Sequence, residues 1–254
     1  MDLQRVTITG ADNNTDISQL IDLSAEFPFV EWGILVSRKN EGTPRFPNRS
    51  WIDSFSDAVI EKTQHRNNIH VSTHVCGKWV KDLLVGEINW LDLPSCLEIS
   101  ERVQINTHAE LHTSTAKMLN KLSEIRYSNY PKEYIFQWDG INQHFAFAAR
   151  AFGIKTSVLF DKSGGAGLLP AEWESPVGSF MCGYAGGLGP DNITEQLNKI
   201  SDVVFDFWTP IWIDMETKVR TNDDSALDLD KVRRVLEAVR RWKREHLETM
   251  EPPF

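Results

Sequence analysis

Short apolar runs recur at nearly even spacing along the chain, at residues 6–9, 30–36, 69–72, 103–105, 134–138, 157–160, 180–184 and 211–213. Each is strand-length and bounded by polar or glycine-rich sequence. Between them, over 17–23, 51–61, 79–84, 116–125, 141–151, 193–200 and 229–247, apolar residues return with the period of an amphipathic helix. The connection after the sixth run is the weakest, because Pro170 and Pro176 allow only a short or irregular helix there. Eight strand-to-helix alternations in 254 residues, with no evident linker or low-complexity segment, predict an α/β fold. The expected architecture is a single (β/α)8 TIM barrel spanning 1–254, not an open sheet with an added domain.

A barrel assembles its site from the loops that follow the strands. Here those loops hold Thr9, Asp12, Arg45, His74, Cys76, Asn106, Asp139, Asp161, Asn192, Asp214, Glu216 and Arg220, a set rich in groups that donate, accept or carry protons. Two of the loops are glycine clusters: Asp161-Lys-Ser-Gly-Gly-Ala-Gly167 and Ala185-Gly-Gly-Leu-Gly-Pro-Asp-Asn192. Glycine lets backbone N–H groups at a helix start converge on an anion with no Cβ in the way. Gly164, Gly165, Gly167, Gly186, Gly187 and Asn192 are therefore candidate phosphate-binding residues. Tight turning alone is the competing explanation, and the pairing of two clusters favours a shared ligand site.

Composition narrows the partners. A net charge of -9 with dispersed acids argues against a nucleic-acid or membrane-surface binder, although a local basic pocket can still hold phosphate. The one strongly basic segment, the last helix with Arg233, Arg234, Arg240 and Arg241, reads as a solvated face. Three scattered cysteines suit neither a disulfide framework nor a cysteine zinc site. No stretch approaches a membrane span and the start lacks a signal-peptide core, so a cytoplasmic location is expected. His70 with His74, and His108 with His112, lack the carboxylate spacing of a standard metal motif, so neither a metal nor any other cofactor is expected.

The glycine turns, followed by Ile213-Asp-Met-Glu-Thr-Lys-Val-Arg220, resemble the last third of phosphoribosylanthranilate isomerase. The likeness runs over about residues 155–220. Upstream, Thr43-Pro-Arg45-Phe is similar to the family's second-loop segment, and Val103-Gln-Ile-Asn106 to its fourth strand. The resemblance implies a barrel whose late turns hold a substrate phosphate, with Arg45 and Asn106 against the substrate and Asp161 as general acid. It also implies an isomerisation in which an acid opens a ribose ring while a base removes the C2 proton. The family's first-strand cysteine base is missing, since this chain reads Thr7-Ile-Thr9-Gly10. A threonine hydroxyl needs a partner to act as a base.

Asp12, Cys76 and Glu216 are the candidate replacements for that base, and Asp139, Asp214 and Arg220 join the substrate-binding candidates. Each has an ordinary alternative: Asp139 as a helix cap, Cys76 as core, Asp214 and Glu216 as polar lining. The expected function is acid–base, isomerase-type catalysis on a small phosphorylated sugar or nucleotide-like compound. A phosphometabolite-binding protein without turnover is the alternative, and a metal-assisted hydrolase a more remote one.

Overall fold

The computed structural model describes residues 1–64, 69–107, 115–125, 133–140, 142–162 and 166–248. Eight strands, β1 (Asp2–Thr9), β2 (Val30–Val36), β3 (His70–Val75), β4 (Arg102–Ile105), β5 (Glu133–Gln137), β6 (Thr156–Phe160), β7 (Met181–Ala185) and β8 (Pro210–Met215), pair in parallel in chain order. β8 closes the barrel against β1. Outside lie α1 (Ile17–Glu26), α2 (Arg49–Gln64), α3 (Lys78–Val85), the single turn α4 (Cys96–Ile99), α5 (Thr115–Ile125), α6 (Gln143–Ala151), α7 (Ile193–Val204) and α8 (Leu229–Glu248). The fold is the (β/α)8 barrel that the alternation predicts. No helix among the described residues is long and apolar enough to cross a membrane.

Local chemistry sets these elements. Asp16 caps α1 by accepting from the Ser18 amide at 2.9 Å, and Leu20, Ile21 and Leu23 then fall on the buried stripe. In β1, Val6 and Ile8 join the apolar layer under the helices, whereas Thr7 and Thr9 alternate to the barrel interior. The same alternation puts Ser72 and His74, Arg102 and Gln104, and Trp212 and Asp214 on inward positions.

The interior is unusual for this architecture, whose core layers are dominated by branched apolar residues. Among the described residues, Ile135, Leu159, Ala185 and Trp212 form a small apolar cluster inside, with Met181 packed against it. Beneath it, the buried Arg102 guanidinium donates to both Glu31 oxygens and to Thr7 Oγ1, and lies 4.4 Å from the Trp212 ring centroid. Ser157 donates to Glu133, whose other oxygen meets Lys155 at 2.9 Å. Two glycines make this packing fit. A Cβ on Gly183 would overlap the Trp212 ring, and one on Gly33 would overlap the Thr9 hydroxyl and press on His74.

Three expectations need correcting. β3 continues three residues past 72, because His74 is a buried inward residue of the strand and not the start of a loop. No helix occurs among the described residues between β6 and β7. That segment is instead pinned through side chains, with Trp173 Nε1 donating to Gln196 at 3.0 Å and the Tyr184 hydroxyl donating to the Glu174 carbonyl at 3.0 Å. Between β3 and β4 the chain adds the short α4 and a 3-10 turn (Trp90–Asp92), which the periodicity of α3 did not announce.

Candidate active site

A cavity of about 280 Å³ opens at the ends of the strands and reaches into the barrel. At about 30 Å³ per water it has room for a small metabolite. Every strand contributes a lining residue: Thr9, Leu35, His74, Gln104, Gln137, Leu159, Ala185 and Asp214 form its deep wall. Asp161, Asn106 and the loops carrying Arg45, Gly187 and Glu216 form its mouth.

Three of the lining carboxyl groups come from two strand ends. Asp214 is buried and its Oδ1 accepts from Thr9 Oγ1 at 2.9 Å. Burial pushes its pKa up to about 8, against the Thr9 hydrogen bond, and the nearby charges of Glu216, Asp161 and Glu31 push the same way. Glu216, two residues on, also ends up above the usual range, because burial outweighs its 2.6 Å contact with Arg45 Nη1. Asp161 lines the same space and is half-buried. Elsewhere in the lining, burial lowers His74 to about 4, with Glu31 pulling up and Arg102 pushing down. A neutral imidazole and a protonated Asp214 thus coexist at pH 7, and environments that separate pKa values in this way suit acid–base work.

The Asp214 shift has a measurable sign. The native state keeps this proton up to about pH 8, whereas the unfolded chain releases it near 3.8, so the native state binds more protons across that window. The contribution of Asp214 to stability is therefore present below about pH 4 and is lost as pH rises to about 8. Asp214→Asn keeps an acceptor for Thr9 and removes the titration, so its stability relative to wild type should rise by a few kcal/mol across this range, at about 1.4 kcal/mol per pK unit. Urea midpoints of both proteins at pH 5, 7 and 9 measure it. A constant difference would mean that Asp214 titrates as an ordinary carboxyl group.

The glycine turns reach the cavity. Gly167, Gly186 and Gly187 line it, and the amides of Gly186, Gly187 and Leu188 find no acceptor among the described residues. Lys218 lines the same mouth and forms no ion pair with a described residue. Gly164 and Gly165 lie outside the described residues, as do His108 and His112. Asn192 braces the second turn from behind: its Oδ1 accepts from the Gly189 amide and its Nδ2 donates to the Gly187 carbonyl, both at 2.9 Å. The glycines also serve packing. A Cβ on Gly187 (φ 66°) would stand 2.6 Å from the Leu169 nitrogen, and one on Gly189 would stand 2.5 Å from Lys218 Cβ. A bulky residue at Gly187 would therefore disturb the fold whether or not a ligand binds.

Other candidates stand apart from the cavity. Arg220, fully buried, donates to Asp12 at 3.0 Å, to the Gly10 carbonyl and to Asp224 at 2.6 Å. Asp224 in turn holds Arg45, so the chain Asp12–Arg220–Asp224–Arg45–Glu216 ties the loops after β1, β2 and β8 together. Within it, Arg45 and Glu216 line the cavity, while Asp12 and Arg220 hold the loops behind it. Asp139 accepts from the Asn142 amide at 2.7 Å and shapes the entry to α6. Cys76 lies behind Asn106, whose Nδ2 donates to its sulfur at 3.1 Å, and burial raises its thiol to about 12. A thiol held neutral in this way is a poor base. Among the described residues, no group of three or more His, Cys, Asp and Glu could hold a metal ion.

Gln104 and Gln137 are lining residues that the loop-centred sequence analysis did not select, Lys218 entered it only as a cation beside Glu216, and His74 only as a metal or loop candidate. Polar residues alternating with apolar ones inside β4 and β5 were the signal for the two glutamines.

The fold and site together define a TIM barrel with a polar mouth cavity. No protein-family model matches the chain, and no curated protein matches it in sequence. Among solved structures it is similar to one described as a spore coat polysaccharide biosynthesis protein E from Chromobacterium violaceum, with 12% identity and a TM-score of 0.47, covering 94% of this chain and 74% of that one. Likeness at this level supports no inference about activity.

Proposed function

We propose that the protein is an acid–base enzyme, of isomerase type, acting on a small phosphorylated metabolite held in the mouth cavity. The observation that carries this reading is the convergence of Asp161, Asp214 and Glu216 on a cavity whose rim also holds the unaccepted amides of Gly186, Gly187 and Leu188 and the ammonium of Lys218. Such amides, left by glycine turns before α7, favour an anion at the rim. The carboxyl groups that line the same cavity then lie within reach of the carbon skeleton, where they can move its protons. The late turns resemble those of phosphoribosylanthranilate isomerase, and we read that likeness as a shared way of holding phosphate on a barrel with a different proton-transfer set.

Inorganic phosphate is the first probe. Calorimetry should detect its binding to the wild type, and Lys218→Met should weaken it about tenfold, the loss expected for one charge-assisted contact. Unchanged affinity in the variant would move the anion away from this rim.

A further inference from the structure

The missing first-strand base leaves a specific question: which carboxyl group in the cavity moves the proton. From the hydrogen bond between Thr9 and Asp214 at the cavity floor, we infer that Asp214 is the catalytic base and that Thr9 positions it. This rests on the reading of the cavity as an acid–base site.

Geometry separates Asp214 from its neighbours. Glu216 Oε1 is committed to Arg45 at 2.6 Å, within the ionic chain that fastens the mouth loops. Asp12 is committed to Arg220 and does not line the cavity. Asp214 has one oxygen fixed by a neutral donor, Thr9, and forms no ion pair among the described residues, so unlike Glu216 it is not neutralised by a guanidinium; its Oδ2 has no hydrogen-bond partner among those residues. Thr9 can reach it because Gly33 has no side chain where the Thr9 hydroxyl sits. Thr9 is itself 1% exposed, so its hydroxyl has little freedom to turn elsewhere. Threonine at the end of β1 thus has the partner a hydroxyl needs, with the carboxyl group doing the proton transfer. His74 packs on the Thr9 side of the cavity, since the same Gly33 position faces both side chains, and its Nε2 is buried with no hydrogen-bond partner among the described residues.

The step balances within the site and substrate. The ionised form of Asp214, about one-tenth of the protein at pH 7 and most of it above pH 8, takes a proton from a hydroxyl-bearing carbon next to a carbonyl or imine. The C–H electron pair becomes the new carbon–carbon double bond, and the oxygen or nitrogen of the activated group takes the displaced pair with a proton from the acid on the other side. The Asp214 proton then goes to the former carbonyl or imine carbon, the carbon–carbon double-bond pair forms that C–H bond, and the hydroxyl on the first carbon becomes the new carbonyl as it gives its proton back to the ionised acid, so acid and base are restored and no oxidant or reductant is consumed.

An electrophilic phosphate, glycidol phosphate, tests the assignment on the whole protein at pH 9. A carboxylate oxygen attacks the terminal epoxide carbon, that carbon–oxygen bond breaks toward the ring oxygen, and water protonates the resulting alkoxide to leave an ester and a hydroxyl group. Peptide mapping by mass spectrometry should place the ester on Asp214. Thr9→Val should slow its formation about tenfold and Thr9→Ser should restore it, a rescue that loss of packing alone would not give. An ester on Asp161 or Glu216, or equal rates in all three proteins, would overturn the inference, and so would no ester at all in a protein that binds inorganic phosphate. An ester on Asp214 that excess inorganic phosphate does not slow would uphold the assignment of the base and count against the phosphate rim instead.

Discussion

Arg102→Ala is expected to destabilise the barrel by roughly 3–5 kcal/mol, the cost of removing one partner from a buried ion pair and leaving the other charge behind. Glu31 is fully buried and takes its two charged contacts from Arg102, with Thr7 as its remaining donor. The variant also strips the guanidinium from the face of Trp212, opening a void under the apolar cluster. In a chain of this size the loss corresponds to a fall in Tm of roughly 6–20 °C. Adding Glu31→Gln should recover part of it by removing the stranded charge. Urea unfolding of wild type, single and double variants supplies the comparison, and a loss below about 1 kcal/mol in the single variant would mean that water already shares the burden of solvating Glu31.

Asp161→Asn is expected to lower turnover by about 10²- to 10⁴-fold while leaving inorganic phosphate affinity nearly intact. Asp161 ends the inward row of β6 and lines the cavity on which Asp214 and Glu216 also converge, so acid and base can flank one substrate. The amide keeps the shape and removes the proton. Turnover and binding measured on the same two proteins separate the roles: loss of affinity with turnover preserved would make Asp161 a binding residue, and no change in either would remove it from the site.

The barrel was legible in the sequence because its outward strand residues are apolar and its helices have clean stripes; Val6 and Ile8 in β1, or Leu20 and Leu23 in α1, need no tertiary knowledge to place. The interior was less legible. His74 reads as a loop residue because a histidine ends an apolar run, yet in a barrel it is one more inward position beside Ser72. Arg102 and Glu133 likewise sit at strand starts, where a charge normally means solvent. Arginine type and loop position could not separate Arg45, which lines the cavity, from Arg220, which is consumed by Asp12, Asp224 and the Gly10 carbonyl. That difference depends on how the loops after β1 and β8 pack, and no local pattern encodes it. The glycine clusters were visible at once, but their packing role against Leu169 and Lys218 required neighbours distant in the chain.

Exchange of a carbon-bound proton with solvent tests the proposed chemistry most directly. Phosphorylated aldoses and ketoses that bind the protein would be incubated with it in D2O, and the proton signal next to the carbonyl followed by NMR. Enzyme-dependent loss of that signal for at least one compound, abolished in Asp214→Asn and strongly reduced in Asp161→Asn, is the expected result. Tight binding of these compounds with every carbon-bound proton retained would contradict it and leave a barrel that holds phosphometabolites without transforming them.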